Sequence, residues 1–164
     1  FGIDHKSFRD KRGEINTKFD IPTIGWSAAL NNLHAAIALS QIPTLSERQK
    51  KTRIVAELLY YSLSNINNLV LVNPIKNSVP SYWGFLVLLK NRDEFLFYLK
   101  QNGINASCLH CRNDIYSGFG RNVSILPGTQ IVMSQMAAIP CGWWLKAEEI
   151  DKILSVVKKF SFKC

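Results

Sequence analysis

Residues 95–114, FLFYLKQNGINASCLHCRND, pass from one periodicity to another within a single short run. Phe95, Tyr98 and Leu99 share a face at helical spacing, with Asn91 as candidate N-cap, Asp93 and Glu94 in the first turn, and Gly103 as the stop. Beyond the glycine the pattern becomes that of a strand. Alternation over 104–110 places Ile104, Ala106, Cys108 and His110 on one face and Asn105, Ser107 and Leu109 on the other. His110, Arg112, Asn113 and Asp114 then close the strand and open a loop, a position from which polar groups commonly line a ligand site.

The same run contains Cys108 and Cys111 in a Cys-x-x-Cys arrangement with His110 between them. A redox pair sits where a loop enters a helix, because the helix N-terminus lowers a thiol pKa. Here the pair closes a strand, and alternation puts the thiols on opposite faces. A structural zinc site needs four ligands. Cys108, His110, Cys111 and Cys141 supply four only on paper, since no second ligand pair stands at a recognisable spacing. The expectation is free cysteines and no metal.

Working outward, NLVLVNP and YWGFLVLLK read as strands upstream, being β-branched and apolar runs bounded by Asn and Pro. Before them stands a long helical pattern. Leu30, Leu33, Ile37 and Gln41 recur at helical spacing from about Ala28, Pro43 interrupts, and Val55, Leu58, Leu59, Leu63 and Ile66 resume it to about Ser64. That predicts one long kinked helix, or two in near-continuity. Residues 1–25 are polar and without sustained period, a loop or arm. Downstream come a turn-rich segment, a short helix over 129–136, a brief strand in AAIPCG, and a last helix over 146–160 with Ile150, Ile153, Leu154 and Val157 inward. Strands and helices do not alternate regularly, so the fold class expected is α+β, with a small, mostly antiparallel sheet covered by helices.

Composition narrows the function. The chain of 164 residues is 47% hydrophobic and 20% charged, the balance of a globular domain with a real core. Its apolar runs are strand-sized, far short of the roughly 18 residues a membrane span needs. The net charge of +8 favours anionic partners, but the basic residues are dispersed among acids rather than gathered on one face, which argues against nucleic acid. Four irregularly spaced cysteines suit a reducing, cytoplasmic setting. No phosphate loop, H-E-x-x-H or nucleophile elbow is present. His34 reads as a satisfied, partly buried side chain. Trp143 and Trp144 read either as one core ring beside one half-exposed ring, or as an interface or pocket wall.

In this order the segments resemble the carboxy-terminal region of DegT/DnrJ-type nucleotide-sugar aminotransferases. GWSAALNNLHAAIALSQI is similar to the start of that family's carboxy-terminal helix. FLFYLKQNGINASCLHCRND is similar to its helix, Gly-Ile, strand and terminal histidine, and RNDIYSGFG and IPCGWWL resemble one branch of it. FGIDHKSFRDKR looks like the stretch after the cofactor lysine. The resemblance implies a small domain at 26–164, with 1–25 as an arm leading from a large domain not included in this sequence. It further implies a pyridoxal-phosphate enzyme that moves an amino group, usually from glutamate, to a nucleotide-linked keto-sugar, working as a homodimer.

On that resemblance the cofactor lysine lies upstream, so no catalytic residue is expected in this chain and the isolated chain is expected to be inactive and to bind no cofactor alone. Ser27 would face the cofactor phosphate of the partner subunit, where the family commonly has Asn or Lys, and Ala28 and Ala29 stand where polar side chains are usual. His110, Arg112 and Asn113 would approach the substrate, Arg112 by charge and fork geometry. A stand-alone binding or dimerisation module of the same fold is the alternative.

Overall fold

The structure, a computed structural model, describes residues 4, 6–25, 31–120 and 125–162. Ser27, Ala28 and Ala29 lie outside the described residues. The elements run α1 (Asn32–Leu63), β1 (Val70–Leu71), β2 (Phe85–Leu88), α2 (Arg92–Gln101), a 3-10 turn (Ser117–Phe119), α3 (Pro127–Gln135), β3 (Met136–Ile139) and α4 (Ala147–Lys159).

Of the two forms allowed for the first helical stretch, the single helix is found. Pro43 lies inside α1 and does not end it. Hydroxyls on either side turn back to the helix, Ser40 donating to the Ile37 carbonyl at 2.7 Å and Thr44 to the Gln41 carbonyl at 3.0 Å. Asn31 caps the start by accepting from the His34 N–H at 2.9 Å. His34 itself is exposed, contrary to the partly buried expectation, because no other described element covers this end of the helix. Burial begins only at Thr52. Earlier apolar side chains stay open on both sides of α1, Leu33 and Leu39 each 68% exposed.

The sheet is antiparallel in the order β1-β2-β3. Phe85 pairs with Ile139 and Val87 with Ala137, and both rows face the core while Leu86 and Leu88 are half-buried. Leu59 and Leu63 of α1, Phe95 and Leu99 of α2, and Ile153 and Val157 of α4 complete one continuous core. α4 matches its sequence pattern closely. Glu149 accepts from the Lys146 N–H at 2.8 Å, acids occupy the first turn and lysines the last, and Ile150, Ile153 and Val157 are buried.

Two local readings are corrected. Asn91 precedes α2 but its side chain does not cap it. Instead its amide donates to the Ser161 carbonyl at 3.2 Å, tying the chain's end to the helix start. The strand expected over 104–110 is an extended segment that makes one bridge, Ser107 to Ala138, along the outer edge of β3. Ladder formation fails for a local reason. The Ala106 N–H folds back to the Ile104 carbonyl, and the His110 N–H to the Cys108 carbonyl at 2.7 Å around Leu109, whose φ is +64°. Alternation survives as far as Ala106, with Ile104 and Ala106 buried, and the tight turn at Leu109 then throws His110 outward. No helix among the described residues is long and apolar enough to cross a membrane.

Candidate functional site

His110 and Arg112 line a cleft of about 570 Å³ between the amino-terminal arm, the start of α2 and the turn at 108–115. The arm reaches it because of one tight turn. Asp10 accepts from the N–H groups of Arg12 and Glu14 at 2.8 and 3.0 Å, Gly13 takes a φ of +81°, and Arg9 bridges to Ile15 across the hairpin.

That turn delivers Glu14 into the body of the domain. The residue is 8% exposed, and its carboxylate pairs with the Lys100 ammonium of α2. Its other oxygen accepts from the Cys108 N–H at 3.2 Å and from the Cys108 thiol at 3.4 Å. Lys100 also donates to the Arg12 carbonyl at 3.2 Å. Glu14 is therefore the pin that holds the arm against α2 and the Cys108 turn. A second tether lies further along. Asp20 accepts from the Ser117 N–H and hydroxyl at 2.7 and 2.6 Å, and the Gly118 N–H donates to the Ile21 carbonyl at 2.6 Å. A Cβ at Gly118 would meet that carbonyl oxygen at 2.5 Å, so Gly118→Ala is expected to break the contact and loosen this tether by about 1–2 kcal/mol, read as faster amide exchange at residues 117 and 118.

The cleft gathers Arg12, Lys18, Arg92 and Arg112 against Asp10, Glu14 and Asp93. Most of these cations are already engaged. Arg92 donates to Asp93 at 2.9 Å and to the Met133 carbonyl at 2.5 Å, which fixes α2 against α3. Arg112 forks onto Asp114, with Nε donating at 2.8 Å and Nη2 pairing with the second oxygen. The fork expected to approach the substrate is thus held by a neighbour, which orients the guanidinium and neutralises part of its charge. Lys18, on the exposed part of the arm, makes no ion pair among the described residues. Asn113 is exposed and does not line the cleft; its carbonyl accepts from the Tyr116 N–H at 3.2 Å.

Burial disfavours the thiolate at two of the cysteines, pushing Cys141 up to about 11. Burial, and then the hydrogen bond to Glu14, raises the pKa of Cys108 above the ordinary thiol value. Burial, and then the adjoining Cys111, pushes the Tyr116 phenol up to about 12. Cys108, Cys111 and Cys141 are free, and no group of His, Cys, Asp and Glu among the described residues could hold a metal ion. Nor does the cleft fit pyridoxal phosphate by itself. A Schiff-base lysine has to be shielded from water to lose its proton, and the lysine here, Lys18, is exposed.

Neither tryptophan is the core ring that the first expectation required. Both are partly open, Trp143 lying under the Arg48 guanidinium at 4.4 Å and Trp144 folding over Gly142. Three contributors escaped the sequence reading. Glu14 and Lys100 are 86 positions apart, and Glu14 and Cys108 are 94 apart, so no local pattern could join them. Trp83, read as part of a strand, packs its ring against His110 at 5.6 Å between centroids. The Asp-x-x-Gly turn at 10–13 is the one signal that could have marked the arm as ordered.

With the geometry in place, the chain can be set beside known proteins. Among solved structures it is similar to the sugar aminotransferase CalS13 from Micromonospora echinospora, with 25% identity, a TM-score of 0.75, and coverage of 96% of this chain and 41% of that one. It is also similar in fold to PseC from Helicobacter pylori, an aminotransferase of pseudoaminic acid biosynthesis, at 20% identity and a TM-score of 0.72, covering 94% and 44%. DesV from S. venezuelae matches at 18% identity with a TM-score of 0.76, covering 87% and 39%. This chain therefore spans less than half the length of each of these structures. No curated protein matches it. The model of the DegT/DnrJ/EryC1/StrS aminotransferase family covers residues 1–158, so the chain belongs to that family.

Proposed function

We propose that this chain is the carboxy-terminal portion of a cytoplasmic, homodimeric, pyridoxal-phosphate-dependent aminotransferase. The whole protein transfers an amino group, from glutamate, to a nucleotide-linked keto-sugar used in cell-surface polysaccharide or antibiotic-sugar synthesis. The observation that supports this best is the family match along 1–158, joined to a basic cleft built around His110. The first turns of α1 favour a piece of a larger molecule, because a helix apolar on both sides is stable in water only when it is covered. When bound, the cofactor supplies an electron sink; its lysine belongs to the remainder of the protein, and the 164 residues alone do not transaminate.

In this reading Ser27 donates a hydrogen bond toward the partner subunit's cofactor phosphate. His110 and Arg112 face the sugar nucleotide, Asp114 aligns Arg112, and Asn113, which stands outside the cleft, has no contact with it. Absorbance of the full-length protein in the cofactor's visible band should change on adding glutamate and be restored by a nucleotide-linked keto-sugar; a flat spectrum removes the assignment. Arg112→Gln in the same protein should raise KM for the sugar nucleotide by about tenfold, the value of a charged hydrogen bond. An unchanged KM takes Arg112 out of the site.

The alternative is a non-catalytic binding or dimerisation module of the same fold, favoured by Ala28 and Ala29 and by a cleft without a shielded lysine. The reading frame upstream of Phe1 separates the two: a frame encoding a cofactor lysine supports the enzyme, and a nearby start codon supports the module.

A further inference from the structure

Beside the basic cleft lies a second, of about 420 Å³, lined by Ile75, Pro80, Tyr82, Trp83, Leu109 and His110 among others. Three of its polar groups, Asn73 Oδ1, the Ser78 hydroxyl and the Pro80 carbonyl, are already engaged. The Tyr60 hydroxyl donates to Asn73 Oδ1 at 2.7 Å, the Ser78 hydroxyl donates to the Ile75 carbonyl at 2.6 Å, and Arg53 Nε donates to the Pro80 carbonyl at 3.1 Å. What stays open is ring surface. Trp83 is 76% exposed, and its indole meets the exposed His110 imidazole at 5.6 Å with a 40° tilt.

Both rings are aimed by unusual backbone. Tyr82, immediately before Trp83, has φ +47°, and Leu109, immediately before His110, has φ +64°. The other described non-glycine residues with positive φ are Asn68 and Asn77, a type that tolerates this region; a tyrosine and a leucine do not. Such outliers persist only where their surroundings hold them, and they concentrate at ligand sites. Here each one sets the direction of one ring of the pair.

His110 lines the basic cleft as well as this one. A ligand that straddles His110 meets guanidinium and ammonium groups on one side and a platform of aromatic faces on the other. We infer that the Trp83–His110 cleft holds the planar heteroaromatic base of a nucleoside diphosphate, whose anionic groups lie toward Arg12, Lys18 and Arg112. This inference rests on the nucleotide-sugar reading above and assigns the part of the substrate that the basic cleft leaves out. Base-on-aromatic stacking supplies the affinity there, since the lining carries faces rather than charges.

The test is calorimetric titration of the full-length protein with uridine 5′-diphosphate, thymidine 5′-diphosphate and inorganic pyrophosphate, in the wild type, Trp83→Ala and Trp83→Phe. Trp83 is exposed, so neither change threatens the fold. Trp83→Ala is expected to weaken both nucleoside diphosphates by about tenfold or more, the scale of one lost stack, while pyrophosphate binds as before. Trp83→Phe should restore most of the loss. If the wild type binds a nucleoside diphosphate and Trp83→Ala binds it equally well, the inference falls and the nucleotide-sugar reading stands. An equal loss for pyrophosphate also overturns it, since that marks a general disturbance of the basic cleft. A wild type that binds neither nucleoside diphosphate overturns both.

Discussion

Replacing Phe95 with alanine is expected to lower the free energy of unfolding by about 4 kcal/mol. The ring is fully buried at the centre of α2 and packs edge-on to Phe160 at 5.1 Å and tilted to Phe162 at 5.8 Å between centroids. Truncation removes the largest fully buried side chain among the described residues and strands two further rings, Phe160 and Phe162, that pack over α2. The cavity cannot collapse readily, because β2, β3 and α4 approach from other sides and are pinned by the sheet register. In urea the midpoint should fall with little change in slope, and the thermal midpoint should drop by roughly 8–16 °C for a domain of this size. A loss below about 1 kcal/mol would mean that this aromatic cluster is not part of the cooperative core.

Glu14→Ala is expected to have an effect of about 3 kcal/mol, but a local one. The substitution leaves the Lys100 ammonium and the Cys108 N–H without their acceptor at a site where water has poor access. The core does not depend on Glu14, so the arm should detach while α2 and the sheet stay folded. Trypsin at Lys11 or Arg12 reads this directly, because cleavage of an arm that opens rapidly follows the open population; the rate should rise by about a hundredfold. Glu14→Gln should fall between, since it keeps an oxygen for the Cys108 N–H and loses the ion pair. Equal cleavage of wild type and Glu14→Ala would show that the Asp20–Ser117 contacts alone hold the arm.

The two substitutions separate two kinds of information. Phe95 was legible in the sequence, because its burial follows from helical spacing with Leu99 and from the stop at Gly103. The same holds for α4, whose apolar stripe and end charges agree, and for β2 and β3, which are short apolar runs. These are short-range properties, set by how many residues make a turn or a pleat. The long helix was legible too, although whether Pro43 would divide it was left open and its exposed first half was not foreseen: periodicity marks an apolar face without telling what covers it.

The site depended on distances that no window of sequence spans. Glu14 became a pin only when the arm folded back onto α2 and Cys108, and Trp83 met His110 only because Tyr82 and Leu109 adopt left-handed backbone. Alternation extended through 104–110 gave His110 the wrong face, since a period-two rule has no means of anticipating a tight turn inside the run. The sequence by itself determined the family, the element order and the core faces, because these rest on local spacing and collinear motifs. Only the tertiary structure decided that Arg112 is held by Asp114, that burial raises the pKa of the Cys108 and Cys141 thiols, and that one histidine joins two clefts. Those outcomes depend on burial and on which distant groups are brought within a few ångströms.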